Sequence, residues 1–269
     1  MGRVIVLGSL NVDVVVSVDR HPKVGETIRA TSITTMPGGK GANQAVAAAA
    51  AGAQTHMIGA VGTDPHGDRY LSHLAASGVQ TSAVRRAQEP TGSATITVDS
   101  AGRNSIIIDP GANGSVGQPE LDALGELLAP GDVLTTMLEI PEGIVAAAFE
   151  LAAARGATSV LNPSPWSPGA ADLAGAADLV VVNTLEANEL GRSDDAVVMT
   201  FGEQGALWAG VHASAPRVET VDTTGAGDTF TGTLCARLAL GEQRDAALQA
   251  AVLAGAAAVT RIGAQRWAV

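Results

Sequence analysis

TVDTTGAGDTFTG, residues 220–232, sets two glycines, an alanine and an aspartate at the point where an apolar periodicity begins. Beyond it Phe230, Leu234 and Leu238 recur every fourth residue, which predicts a helix over 229–240. A glycine-rich turn entering a helix leaves first-turn N–H groups without partners and adds the positive end of the helix dipole, so an anion is favoured there. A phosphate whose charge grows during transfer suits such a place. Asp228 has two readings at this level: a group that acts on a ligand, or a helix-start acid satisfying those same N–H groups.

The rest of the chain supplies the frame for that turn. Short β-branched runs at 4–8 (VIVLG), 133–137 (VLTTM), 158–162 (TSVLN), 179–183 (LVVVN) and 196–200 (AVVMT) read as buried strands. Alanine- and leucine-rich segments of helical spacing lie between many strands, among them 42–51, 144–155 and 246–261, and Gly52 closes the first of these. Such alternation predicts an α/β fold with a mainly parallel sheet flanked by helices. Two regions, about 12–36 and 91–109, alternate with period two; the second has turn residues at 99–102, a hairpin signature. They read as a small β-lid inserted in a single domain covering 1–269.

In a parallel sheet, ligands bind beyond the carboxyl ends of the strands, so polar residues there carry the functional question. Met36–Ala45 (MPGGKGANQA) is a second glycine-rich turn entering a helix. Small residues let the backbone approach a ligand, and Lys40 and Asn43 offer donors for hydroxyls; tight helix packing is the alternative reading. Asn11 and Asp13 follow the first strand, as an Asx turn or as a pair for sugar hydroxyls. Glu139 follows 133–138. Asn183 and Glu186 follow the fourth strand at an Asn-x-x-Glu spacing able to hold a hydrated Mg²⁺ beside a polyphosphate; taken alone, Glu139 and Glu186 each read first as a solvated loop acid.

Bulk properties narrow the partners. The 27 acidic residues outnumber the 16 basic ones for a net charge of −11, with no basic run, which argues against nucleic acid and anionic membrane surfaces and for small molecules. A 46% hydrophobic content suffices for a sizeable core. The five histidines lack metal-ligand spacing. Cys235, the single cysteine, sits in an apolar helical pattern and reads as a buried core residue. The N-terminal segment is strand-like and short for a signal peptide, and no apolar run reaches the roughly 20 residues of a membrane span, so a cytoplasmic location is expected.

Taken together, GGKGANQAVAAAAAGAQTHMIGAVG and DTTGAGDTF resemble the two signature regions of the PfkB carbohydrate kinase family, in order and suitably separated. GSLNVD, PKVGET, DPGAN, LNPSP and TRIGAQ extend the resemblance from about Val4 to Gln265 and point to its ribokinase branch. The resemblance implies a ribokinase-like three-layer sandwich with a β-sheet lid that mediates homodimerisation. It implies an ATP-dependent kinase that phosphorylates D-ribose on its 5-hydroxyl, with Mg²⁺ and an activating K⁺. Asp228 becomes the base, and Gly225, Ala226 and Gly227 the anion hole. Asn11, Asp13, Gly39, Lys40, Gly41, Asn43 and Glu139 match sugar-contacting positions. Asn183, Gly227 and the loop Thr200, Phe201, Gly202, Glu203, Gln204 and Gly205 match nucleotide positions, with Glu186 near Mg²⁺. Asp222, Thr224, Ala258, Arg261 and Gly263 match the K⁺ site.

The departures fall on the nucleotide and cation half. Only about ten residues separate Glu186 from the next strand, where the family has a full helix, so the sheet is expected to be covered differently or left partly exposed. Trp267 falls where a small polar residue would complete the cation site, the sequence closes on GAQRWAV without a counterpart of the family's last helix, and Val252 stands where the family often has a polar residue beside the adenine. Alternatives are a PfkB kinase for another sugar or a nucleoside, and a non-catalytic sugar-binding homologue.

Overall fold

The computed structural model describes residues 1–268. Its first half runs β1 (Val4–Leu7), β2 (Asn11–Ser17), β3 (Ser32–Gly38), α1 (Lys40–Ala50), β4 (Thr55–Gly62), α2 (Pro65–Ala76), β5 (Val79–Ala87), β6 (Gly92–Val98), β7 (Asn104–Asp109), α3 (Gln118–Leu127) and β8 (Val133–Met137). The second half continues with α4 (Glu142–Arg155), β9 (Thr158–Asn162), α5 (Ala170–Ala176), β10 (Leu179–Asn183), α6 (Thr184–Leu190), β11 (Val197–Thr200), β12 (Ala206–Trp208), β13 (Val211–Ala213), α7 (Ala226–Ala239) and α8 (Arg244–Ala258).

Nine strands form the main sheet in the order β13-β12-β11-β10-β9-β8-β1-β4-β5, parallel from β11 to β5 and antiparallel across β11-β12-β13. Successive side chains of a strand point to opposite faces. Val4 and Val6 of β1 therefore enter one core with Ala42, Tyr70, Leu234 and Leu248, while Ile5 and Leu7 enter the other with Leu124, Val145, Phe149 and Leu173. Helices α1, α2, α7 and α8 cover the first face and α3, α4 and α5 the second, which is the three-layer sandwich. Cys235 is fully buried in the first core, and burial pushes its thiol up to about 12.

The second sheet has the order β3-β2-β6-β7, with β2 and β6 parallel and both outer pairs antiparallel. The β6-β7 hairpin turns where expected: the Asp99 carboxylate accepts N–H bonds from Ala101 and Arg103. Ile33, Ile106, Ile107 and Ile108 of this sheet are exposed.

One alternative is settled and one reading corrected. Of the two outcomes expected near Glu186, the sheet is covered differently: the short helix α6 (Thr184–Leu190) holds Glu186, and β10 and β11 pair in parallel beneath its two turns. Asn11 and Asp13 are not in an Asx turn but on strand β2, where their i, i+2 spacing puts them on one face.

The packing of α7 on α1 brings the two glycine-rich turns together. A Cβ on Gly232 would lie 2.2 Å from the Gln44 carbonyl oxygen and 2.9 Å from Ala47 Cβ, so only glycine allows this approach. The last residue of the 220–232 stretch thus fixes the distance between Asp228 and the start of α1.

Candidate active site

Gly225, at φ +74°, is the N-cap of α7 and contributes no side chain. Its absent Cβ is matched by Ala264, whose own Cβ would lie 2.2 Å from it, so the turn is seated against the C-terminal tail. Asp228 stands in the first turn of α7 but does not cap it. Its carboxylate is buried and accepts from Asn43 Nδ2 (2.8 Å) and Gln44 Nε2 (3.4 Å) of α1. Burial raises its pKa, Lys40 and the Asn43 bond oppose that, and Glu139 adds to it.

Gly38 and Gly39 build the neighbouring wall. A Cβ on Gly38 would lie 2.1 Å from Asp13 Oδ2, and one on Gly39, at φ +85°, would lie 2.7 Å from the Asn11 nitrogen. Lys40 N–H donates to Glu139 Oε2 (2.9 Å), whose carboxylate also accepts from Ser9 Oγ; Ser9 Oγ in turn accepts from Gly41 N–H (3.2 Å). Asn11 Oδ1 accepts from Asn113 Nδ2 (2.7 Å). Asp13 is pushed up to about 7 by burial, then by the negative charges of Glu139 and Asp228. Three carboxylates thus converge with Lys40 on one small volume, a density of charge that favours a bound proton, hydroxyl donors or a cation.

A cleft of about 480 Å³ opens from this point and is lined by Lys40, Asn183, Glu186, Gly225, Gly227 and Asp228, among others. A second cavity of about 840 Å³ shares Thr200, Gly202, Thr223 and Gly227 with it, so the two form one continuous groove. Glu203, Gln204 and Gly205 line the second cavity together with an apolar slot of Val218, Phe230, Val252 and Val259. Phe201 heads this turn, half buried, and lines neither. Ala226 also borders the second cavity, and its N–H turns back to the Thr223 carbonyl at 3.2 Å.

The Asn-x-x-Glu spacing has a structural use: Asn183 Oδ1 accepts from Leu185 and Glu186 N–H, and Glu186 Oε2 accepts from Asn183 N–H at 2.9 Å, a capping box on α6. Among the described residues no cluster of three His, Cys, Asp or Glu side chains is poised for a metal. Asp222 holds Thr224 through its backbone (2.9 Å) and hydroxyl (2.7 Å) and reaches Gly263 N–H (2.9 Å). Burial works against this carboxylate's charge, but those bonds outweigh burial and keep its pKa low. Trp267 lies away from this loop: its indole N–H donates to Thr35 O (2.8 Å), its ring meets Tyr70 and His73 edge-on, and Arg69 sits over it. Asp222 takes its tail partner from Gly263 instead.

Sequence reasoning singled out none of Ser9, Gln44, Tyr70, His73, Asn113 or Gln265 as site residues. Gln265 donates to Asn43 Oδ1 at 2.6 Å and receives His73 Nε2 at 2.8 Å, while Asn113 binds Leu10 and Asn11. The only sequence signals for Asn113 and Gln265 were their places in DPGAN and TRIGAQ.

Comparison with known proteins agrees with this arrangement. A ribokinase of Bacillus subtilis is 37% identical over 280 residues, covering 98% of this chain and 95% of its own. A deoxyribokinase of Salmonella typhimurium is 33% identical, covering 97% and 93%. The solved structure of Arabidopsis thaliana ribokinase complexed with ribose and ATP superposes with a TM-score of 0.87 at 29% identity, covering 99% of this chain and 96% of that one. Residues 1–268 match the family described as pfkB family carbohydrate kinase, and the chain belongs to that family.

Proposed function

We propose that the chain is an ATP-dependent ribokinase, transferring the γ-phosphoryl group of ATP to the 5-hydroxyl of D-ribose to give D-ribose 5-phosphate and ADP. The observation that carries this reading is Asp228: a buried carboxylate in the first turn of α7, hydrogen-bonded to Asn43, at the junction of the wall of carboxylates and amides and the groove. The ribokinase relatives at similar length support the same substrate.

In this reading Asn11, Asp13, Gly39, Lys40, Gly41, Asn43 and Glu139 hold the sugar, the free amide NH₂ of Asn11 and the carboxyl of Asp13 lying on one face of β2 for neighbouring hydroxyls. Asp228 accepts the 5-hydroxyl proton as the oxygen attacks the γ-phosphorus and the bond to the β-phosphate oxygen breaks, a contribution of about 10²–10⁴ in rate. The first-turn amides of Gly225 and Gly227 meet the charge on the transferring group; the Ala226 N–H, already bonded to Thr223, adds less. Asn183, Thr200 and Gly202 to Gly205 flank the polyphosphate, with Phe201 behind them, and Val218, Phe230, Val252 and Val259 form a slot for the flat base.

The donors at hand fit both cations. Asp222, Thr224, Ala258, Arg261 and Gly263, several of them through backbone carbonyls, would offer a monovalent ion one negative charge among hard oxygens, and the Asp222–Gly263 bond ties the two loops. Such an ion would order the 222–228 turn. Mg²⁺ keeps most of its waters and needs one or two carboxylates beside phosphate, a role open to Glu186 at the groove wall; it would neutralise phosphate charge.

The exposed isoleucines of the second sheet support its use as a dimer interface that also covers the sugar. Ile107→Glu is expected to shift the sedimentation profile to monomer, and an unaltered profile would remove this interface. No described helix is long and apolar enough to span a membrane; an ATP-consuming enzyme with one buried thiol suits the cytoplasm.

ADP release over a panel of D-ribose, 2-deoxyribose, other pentoses and nucleosides tests the substrate. The deoxyribokinase relative makes 2-deoxyribose the sharpest competitor. Ribose is expected to give the highest kcat/KM, and a preference for a nucleoside or the deoxy sugar would overturn the assignment.

A further inference from the structure

We propose that His73 and Gln265 are positioning residues for Asp228: they dictate that the Asn43 carboxamide turns its NH₂, and not its carbonyl, to the carboxylate. This deepens the reading of Asp228 as the base and rests on it.

The line of bonds begins at a backbone N–H, a group that can only donate. Ala268 N–H points to His73 Nδ1 at 3.0 Å. A ring nitrogen that accepts carries no proton, so the imidazole proton sits on Nε2 and is donated to Gln265 Oε1 at 2.8 Å. With its oxygen so engaged, Gln265 presents Nε2 to Asn43 Oδ1 at 2.6 Å. Asn43 then has its nitrogen left for Asp228 Oδ2, at 2.8 Å. Four links run from the tail to the carboxylate, and the polarity of the first determines all of them.

Every side chain in this line is buried. Water is therefore no substitute partner, and a reversed amide would set a carbonyl oxygen against a carboxylate where charge is poorly screened. The tail end is fastened separately: Trp267 bonds to Thr35 O, packs on Tyr70 and His73, and lies under Arg69 at 4.2 Å. Helix α2, strand β3 and the tail thereby converge on a residue that reaches Asp228 only through Asn43.

The ionisable groups facing Asp228 are Lys40 of α1, Asp13 of β2, Glu139 after β8 and Tyr70 of α2. Lys40, Asp13 and Glu139 make no bond to the line, and Tyr70 touches it only by accepting a long bond from Gln265 Nε2 at 3.5 Å, so a change at His73 alters the Asn43 donor while leaving the three charged groups in place. Losing that donor disfavours the ionised base, which moves the acid limb of the kcat profile to higher pH.

The test uses the full-length enzyme with ribose and ATP. His73→Phe keeps a ring against Tyr70 and Trp267 but removes both polar links, and Gln265→Met removes the next. Each is expected to lower kcat about 3- to 10-fold and to move the acid limb up, with a smaller change in KM for ribose. His73→Gln, which offers an acceptor and a donor, is expected to restore most of the profile. In wild type, ¹⁵N shifts of His73 should report a protonated Nε2 and an unprotonated Nδ1. The opposite tautomer, or profiles of both variants superimposing on wild type, would overturn the proposal. Asp228→Asn separates the two levels: retained turnover there removes the base itself, whereas loss there with unshifted His73→Phe and Gln265→Met removes only the relay. Should His73→Phe fail to fold, the tautomer measurement on wild type still decides.

Discussion

The two ends of the groove are built from different materials. At the sugar end, side chains from β2, α1, α7 and the tail are buried and Glu139 after β8 is half-buried, and Asn11, Asn43, Glu139 and Asp228 each have a fixed partner before any ligand enters. At the nucleotide end the walls are turns at 200–205 and 215–223, with Val218 and Val221 exposed and glycines 202, 205 and 225 at positive φ. The end assigned to the sugar is held by bonds between its own side chains, whereas the end assigned to the nucleotide is walled by exposed loops. Substitutions should therefore act through steric and protonic effects at one end and through loop stability at the other.

The largest contrast is expected at Gly38. Alanine there would drive a Cβ into the Asp13 carboxylate, an overlap worth about 1–3 kcal/mol. Titration calorimetry should show ribose affinity falling about 10- to 100-fold with nucleotide affinity kept. Equal loss of both ligands would mean that the two ends are not separable.

A second contrast concerns protons. Asp13 is held up to about 7 in the folded chain against 3.8 in an exposed one, so the native state binds the extra proton in that window. Stability therefore declines as pH rises from about 4 to 7 and the cost is complete above 7; that cost is on the order of 2–4 kcal/mol. Asp228, also raised by burial, acts in the same direction, while the lowered Asp222 acts only at more acid pH. Thermal melts of the ligand-free protein between pH 5 and 8 should fall more steeply for wild type than for Asp13→Asn. Identical slopes would contradict the buried-carboxylate account.

The smallest effect belongs to the nucleotide end. Asn183→Ala removes the α6 cap and should cost about 1 kcal/mol, a drop of roughly 2–4 °C in Tm, with ribose affinity untouched. A collapse of ribose binding instead would show that α6 supports the sugar site.

The same contrast explains what the sequence disclosed. Strands β8, β9 and β10 are legible to the residue because a strand buried on both faces of a parallel sheet is a continuous apolar run. Strands β4 and β5 were not read as elements: THMIGAVG and VQTSAVRRA mix glycine, histidine and arginine into the run, and β5 is an edge strand with a mixed burial pattern. At the site, the glycine turns announced themselves locally, since their spacing and the helix that follows are adjacent in sequence. His73 and Gln265 gave no local sign. They lie 192 residues apart, and their meaning arises only where α2 and the tail meet. Asn183 and Glu186 show the converse, a spacing that suggested a cation and also closes a helix cap.

The central claim is that Asp228 takes the sugar proton at a site that binds ribose independently of it. Wild type and Asp228→Asn should be compared side by side, with ribose-dependent ADP release measured at saturating ribose, ATP, Mg²⁺ and K⁺ and ribose affinity measured by calorimetry. The account predicts a loss of turnover of about 10²–10⁴ with ribose affinity within a few-fold of wild type. Turnover within a few-fold of wild type in Asp228→Asn, or no ribose-dependent ADP release from wild type, would contradict it.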